Sequence, residues 1–258
     1  MKLQRLLADA QPRKAYESAT RSPSRCTMCA VRARAICTAI SPTMRDQYGQ
    51  EGRTDTLRKG QTLVWEGEYL HLAAIVVAGV LKLSISLSDG REQIVGVVYP
   101  ADFIGRPFGD RSQVSATALT DAQVCIFPQT AFDRLLFEQP DFGRRLLEHT
   151  LEELNRTRRG MLLLGRKSAP ERIASFLLEI SRRLGESQPQ PQAALDSFEL
   201  PLDRQQIADL LGLTIETVSR QLSAMRAAGL IRLPGRRTLE ILDRRQLLEL
   251  SGDHLENL

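Results

Sequence analysis

The stretch LPLDRQQIADLLGLTIETVSRQLSAMRAAGLIRLPGRRTLEIL, Leu200–Leu242, decides how the chain is organised. Asp203 followed three residues later by Gln206 marks a capped helix start, and Thr214 offers a second cap. Gly212 lies between them as a turn. The pattern predicts helix, turn, helix, and then a strand pair around Pro234-Gly235. At about 100° per residue, Val218, Leu222 and Met225 share one face of the second helix. Glu216, Ser219, Arg220 and Ser223 share the other. The first face docks on its domain. The second offers groups that read base edges in a major groove: Arg pairs with guanine O6/N7, Glu accepts from cytosine N4, and Ser serves either. Thr214 and Thr217 flank them, and Arg204, Arg236 and Arg237 are placed to meet phosphates. These residues are the expected contacts with double-stranded DNA. A helical hairpin with a charged outer face is the alternative, which the tight glycine turn and basic wing disfavour.

Upstream, the apolar period is about 3.5. Leu147, Leu151, Leu154, Arg158 and Met161 step by 4, 3, 4 and 3 residues, a heptad seam broken by one Arg. The seam suits a helix shared by a homodimer; a helix packed on its own domain is the alternative. Pro170 is expected to open the next helix, PERIASFLLEISRRLG, and ESQPQPQAALDS reads as a loop. Further upstream the period is two. LKLSISLSDGREQIVGVV alternates Leu81, Leu83, Ile85 and Leu87 with Lys82, Ser84 and Ser86, then turns at Asp89-Gly90. Short strands between glycine turns run from about Leu57 to Phe127. The expected fold is α+β: an antiparallel β-roll, a long dimerisation helix, and a C-terminal winged helix-turn-helix. The expected divisions are an arm (1–50, of which 1–25 reads as mobile), a sensor roll (51–132), the dimer helix (133–168) and the DNA-binding domain (169–250).

The 258 residues are 42% hydrophobic and 26% charged, ordinary values for a globular chain. No run of 18 apolar residues predicts a membrane span, and MKLQRLLADAQPRK is too weakly apolar for a signal peptide, so a cytoplasmic location is expected. Net charge is +4, but residues 1–38 carry eight Lys/Arg against two acids, and 201–237 carry six against three. Such segments meet nucleic acid, offset a buried anion, or stay solvated.

Cys26, Cys29 and Cys37 fall within the thirteen residues RCTMCAVRARAIC, and Cys125 lies 88 positions beyond Cys37. Where thiols stay reduced, a cluster of them more often binds metal or responds to redox than forms disulfides. A [4Fe–4S] cube takes four thiolates. Three on a loop and a fourth in AQVCIFP, read as a strand, meet that need, and Arg25, Arg32 and Arg34 are placed to offset the cluster's negative charge. A four-cysteine zinc site, a metal-free thiol–disulfide switch and four unrelated thiols remain open; the 2-then-7 spacing lacks the paired knuckles of structural zinc. His71, His149 and His254 have no clustered partners and are given no role.

A β-roll, a heptad helix and a winged helix-turn-helix containing TIETVSRQL resemble the cyclic AMP receptor protein/FNR superfamily of bacterial transcription regulators, over roughly residues 50–245. The resemblance implies a homodimer on sites of the form TTGAT-N4-ATCAA, with Glu216, Ser219 and Arg220 at the half-site, and contact with RNA polymerase. The cyclic-nucleotide branch carries a Gly-Glu turn and a phosphate-gripping Arg-Ser/Thr-Ala. Here Arg106 follows Gly105, Val114 precedes Ser115-Ala116, and Gln113 follows Arg111-Ser112, so no cyclic nucleotide is expected. The cysteines resemble those of FNR oxygen sensors, and their spacing is similar to the α-proteobacterial FnrL/FnrN type. A [4Fe–4S] cluster on Cys26, Cys29, Cys37 and Cys125 is thereby implied. In the mechanism this resemblance implies, the cluster ties down the arm without oxygen, the long helices pair and DNA is bound, and oxygen converts the cluster to [2Fe–2S] and then destroys it. A small iron–sulfur redox protein is the alternative from another class. The winged helix and the lack of a G-x-G-x-x-G motif weigh against it, and no enzyme activity is expected.

Overall fold

The computed structural model describes residues 26, 28–188 and 190–253; the expected arm of residues 1–25, and His254, lie outside them. A short 3-10 helix, Ile36–Ala39, leads into α1, Pro42–Glu51, where Ser41 caps and Pro42 occupies the first turn. Eight strands then form the roll: β1 Arg53–Leu57, β2 Thr62–Val64, β3 Leu72–Ala78, β4 Leu81–Ser86, β5 Glu92–Val98, β6 Phe103–Ile104, β7 Ser115–Ala118 and β8 Ala122–Pro128. They make two antiparallel sheets, ordered β1-β8-β3-β6 and β2-β7-β4-β5. Leu57, Val64, Val76, Leu81, Ala116 and Val124 are among the side chains buried in the core between them.

The alternation in β4 does not hold along its length. Leu81 is fully buried, but Ile85 and Leu87 are exposed while Lys82 and Ser84 are buried. The pairing with β5 shifts register between Leu83 and Ser84, with Val95 of β5 as the extra residue, while Leu83 packs on the same core as Leu81. Lys82 is tolerated inside because its Nζ donates to both carboxylate oxygens of Glu92, at 2.7 and 2.6 Å.

After the roll come α2, Gln129–Glu138, and α3, Pro140–Arg166. Gln139 is extended ahead of Pro140, which separates the two helices. Ser168 and Glu171 form a capping box at the start of α4, Ala169–Glu186, with Pro170 in its first turn. The loop after α4 leads to β9, Ser197–Glu199, then α5, Arg204–Leu211, and α6, Ile215–Ala227. Strands β10, Ile231–Arg232, and β11, Thr238–Ile241, complete a small sheet ordered β10-β11-β9, and α7, Arg244–Ser251, closes the domain. Among the described residues, no helix is long and apolar enough to cross a membrane.

Two polar junctions set the C-terminal part of the chain against the rest. Arg172 of α4 donates to the carbonyls of Leu164 (2.7 Å) and Lys167 (2.9 Å), at the end of α3, and of Leu211 (2.9 Å), at the end of α5. One guanidinium thus satisfies terminal carbonyls of two helices. At the other end of α4, Arg183 pairs with Asp102 of the roll and lies 4.8 Å above the Tyr99 ring. His149 of α3 faces the same carboxylate, its Nε2 3.7 Å from Asp102 Oδ1, beyond hydrogen-bond reach. Sequence spacing assigned His149 no partner; folding supplies one.

Burial alone would raise the Asp102 pKa, but His149 and the Arg183 guanidinium outweigh it and hold the carboxyl at about 2. An acid depressed below its ordinary value of about 3.9 stabilises the fold above that value and ceases to do so as pH falls through the folded value. Urea unfolding should therefore separate the parent from Asp102→Asn by on the order of 2 kcal/mol near pH 5, with the gap closing toward pH 2. A gap that stays constant across that range would contradict this assignment.

Candidate functional site

The segment that carries three cysteines is held by its apolar residues. Val31, Ala35, Ile36 and Ile40 are buried in one cluster with Ile75 of β3, Phe132 of α2, and Phe142 and Leu146 of α3. Cys29 and Cys37 pack against this cluster, as does Cys125. Cys125 lies mid-strand in β8, paired across to Thr54 and Ile75. All four cysteines are partly buried. They line one cavity of about 50 Å³, together with Arg32, Arg45, Gly49 and apolar side chains including Ile75, Phe127 and Phe132. Among the described residues, no three His, Cys, Asp or Glu side chains stand close enough to hold a single metal ion.

Three details bear on what the cavity accepts. A Cβ on Gly49 would stand 2.9 Å from Cys26 Sγ, so only glycine leaves that thiol its place. Arg45 donates from Nη2 to the Ile40 carbonyl at 2.8 Å, while its buried Nε has no hydrogen-bond partner among the described residues. A buried unpaired guanidinium nitrogen is costly, and an anionic group beside it would remove the cost. Burial, reinforced by the neighbouring Cys29, pushes the Cys37 thiol up to about 11. Such a thiol is not a reactive thiolate by itself, but metal coordination deprotonates it. The donor set and its surroundings therefore fit a group that takes four thiolates and carries net negative charge.

The arginines divide differently from their order in the sequence. Arg32 lines the cavity. Arg34 turns away and donates to the Glu186 and Ser187 carbonyls at the end of α4. Arg25 lies outside the described residues. Arg45 and Gly49, one helical turn apart on α1, escaped the sequence reading because PTMRDQYGQE shows no apolar stripe. Ser41-Pro42 was the one local sign of that helix.

In the helix-turn-helix both helix starts carry their expected caps. Asp203 Oδ1 accepts from Gln206 N at 2.9 Å, and Thr214 Oγ1 accepts from Thr217 N at 3.2 Å. Gly212 has φ 60°, the left-handed conformation this tight turn requires. Val218, Leu222 and Met225 are buried. Glu216, Arg220 and Ser223 are exposed, and Ser219 is half-buried. Its own backbone N–H, and then the Thr214 hydroxyl, hold the Glu216 carboxyl below its usual range, so it is ionised and accepts only. Arg220 Nη2 donates to Thr217 Oγ1 at 3.2 Å, which makes Thr217 an orienter of the arginine. Arg236 is exposed. Arg237 is tied to the Pro201 carbonyl at 3.4 Å, and Nη1 of the half-buried Arg204 is buried with no hydrogen-bond partner among the described residues.

The long helix α3 leaves its seam uncovered: Leu147, Leu151, Leu154 and Met161 are 58, 50, 41 and 70% exposed. Arg158 lies exposed among them and donates to Asn155 Oδ1 at 3.3 Å. In the roll, Arg106 is exposed and Val114 half-buried. Arg111 is occupied, 3.8 Å over the Tyr69 ring and donating to the Gly67 carbonyl at 2.7 Å.

Comparison with known proteins agrees with this architecture. Residues 171–250 match the model of the Crp-like helix-turn-helix domain, and residues 54–139 that of the cyclic nucleotide-binding domain. The chain is 41% identical over 229 residues to transcriptional activator protein FnrL of Cereibacter sphaeroides, covering 89% of this chain and 92% of that protein. It is 38% identical over 206 residues to nitrogen fixation regulation protein FixK of Bradyrhizobium diazoefficiens, covering 80% and 85%. The solved structure of FixK2 from Bradyrhizobium japonicum superposes with a TM-score of 0.72 at 33% identity, covering 79% and 98%.

Two substitutions separate reading from anchoring. Arg220→Ala should cost about 1–3 kcal/mol, mainly at one guanine position. Arg236→Ala should weaken binding about equally on every sequence and lower the salt slope by about one. Binding titrations across salt and across site variants measure both, and equal loss of specificity in the two proteins would mean α6 is not the reading helix.

Proposed function

Because the chain belongs to the CRP/FNR family of transcription regulators, we propose that it is an oxygen-responsive member of that family. In this reading Cys26, Cys29, Cys37 and Cys125 hold a [4Fe–4S] cluster. Under anaerobic conditions two copies bind double-stranded DNA of the form TTGAT-N4-ATCAA, contact RNA polymerase and alter transcription. The observation that carries the proposal is the meeting of four thiols, from two distant parts of the chain, round one cavity. The glycine opposite Cys26 and the unpaired Arg45 nitrogen support it.

When bound, the cluster supplies an oxygen-labile cross-link between the cysteine segment and the roll. Everything else is done by the chain. Phe142 and Leu146 of α3 pack in the same apolar cluster as Val31, Ile36 and Ile40, so fixing the segment steadies the start of α3. The exposed seam of α3 then meets its copy, and two joined heads gain effective concentration on a two-fold site. Glu216, Ser219 and Arg220 read the half-site, while Arg204, Arg236 and Arg237 face phosphate. Arg106 and Val114 stand where a cyclic nucleotide would need an acid and a cation, so the roll works without that ligand.

Anaerobically purified protein should be brown and bleach in air. Cys125→Ser should remove the visible absorption, and Gly49→Val should reduce it by displacing the Cys26 thiol. Full colour in the Cys125→Ser protein would exclude the distant thiol as a ligand.

A second expectation concerns Arg158. In a parallel, in-register pair it faces its copy at roughly 7 Å, a repulsion on the order of 2 kcal/mol at an effective dielectric of about 20. Its present partner, Asn155, is neutral and offsets none of that charge. We infer that Arg158 keeps the cluster-free dimer weak. Sedimentation in air should find cluster-free Arg158→Leu dimerising about tenfold more strongly than the parent, or about 1.4 kcal/mol. A variant as monomeric as the parent would remove Arg158 from the switch.

A further inference from the structure

We propose that Arg34 couples the cysteine segment directly to the DNA-binding domain, by gripping the last carbonyls of α4. The proposal rests on the cluster reading above and adds a route within one chain to the route through the dimer.

Arg34 lies between Cys29 and Cys37, and its backbone is fixed locally. Arg34 N and Ala35 N both donate to the Val31 carbonyl, at 3.0 and 2.9 Å, and Val31 and Ala35 are fully buried. The side chain crosses to a part of the chain some 150 residues away. Its Nη1 donates to the Glu186 carbonyl and its Nη2 to the Ser187 carbonyl at 3.3 Å. These carbonyls lie at the end of α4, where the helix leaves acceptors unsatisfied and its dipole is negative. A guanidinium suits that place, because its fork reaches two oxygens at once and its charge strengthens both bonds.

The same turn of α4 is where the other parts of the molecule converge. Arg183 pairs with Asp102 of the roll, and the Glu186 carboxylate pairs with Arg182 and Arg183. The far face of α4 carries the recognition helix. Ile173, Leu177 and Ile180 share one core with Val218, Leu222 and Met225 of α6, so a rotation of α4 carries α6 with it. Two heads on a two-fold site must present α6 at a fixed separation and angle. The Arg34 bonds contribute most when the cysteine segment is already fixed, since the entropy of ordering it has then been met. Release of the segment would remove this grip and leave the roll's hold on this end of α4 to the Arg183–Asp102 pair and the Tyr99 contact.

The test uses full-length dimeric protein prepared without oxygen, as parent, Arg34→Ala and Arg34→Lys. Visible absorption measures the cluster, sedimentation the dimer, amide exchange the α4 end around residues 183–188, and titration the affinity for a TTGAT-N4-ATCAA duplex. Arg34→Ala should keep the cluster and the dimer, exchange several-fold faster at the α4 end, and bind the duplex about tenfold more weakly. Arg34→Lys, which keeps the charge but loses the fork, should recover part of that affinity. In cluster-free protein the parent and Arg34→Ala should exchange alike. Arg34→Ala protein with cluster, exchange and affinity all at parental values overturns the proposal. So does loss of the cluster or dimer in that variant, which would make Arg34 an assembly residue. A colourless parent would instead overturn the cluster reading, and the coupling with it.

Discussion

Val31, Ala35, Ile36 and Ile40 are buried against the roll and α3, and the position of the cysteines depends on that contact. It is a modest contact for what it must hold. Ordering a residue's backbone costs about 1–2 kcal/mol, and a fully buried aliphatic side chain contributes about 1.5–3. From residue 28 to 40 only these four positions are buried apolar. The segment is therefore marginal by packing alone, which is the condition under which a further cross-link to Cys125 decides whether it is ordered. A segment anchored by a larger core would be indifferent to a cluster, and one with no anchor would not bring its thiols to the strand.

In the proposed function, the rest of the molecule carries that local event to the helix-turn-helix. The apolar cluster of the segment continues into Phe142 and Leu146 near the start of α3. The end of α3 is joined through Arg172 to the α5 carbonyl beside the helix-turn-helix turn. The opposite end of α4 is joined through Arg183 to Asp102 and through Arg34 to the cysteine segment. Both ends of α4 are thus held by arginines on helix-terminal carbonyls or on a buried carboxylate, and the recognition helix is packed on its side. Directional bonds of this kind fix orientation, which apolar packing alone leaves soft.

What was legible in the sequence was mostly what is local. Asp203 with Gln206, Thr214, Gly212 and the face of Val218, Leu222 and Met225 concern residues within one or two turns of each other, and the structure has each as the spacing implied. The gathering of Cys125 with the distant trio was legible through ligand number rather than pattern. Non-local choices were not. Burial along β4 does not follow the alternation, since Ile85 is exposed, and Lys82 is buried where its ammonium reaches the Glu92 carboxylate of β5. Arg34 was expected beside the thiols, yet it is drawn to a helix end over 150 residues away in sequence. Arg45, on a helix with no apolar stripe, lines the cavity in its place.

The central claim is that a bond network through four thiolates holds residues 26–40 on the roll, and amide exchange reads this most directly. Anaerobic protein should protect the amides between Cys29 and Ile40 strongly. Admission of air should remove that protection while β3 and β8 exchange as before. Equal exchange of the segment before and after air, in protein that has visibly bleached, would contradict the account.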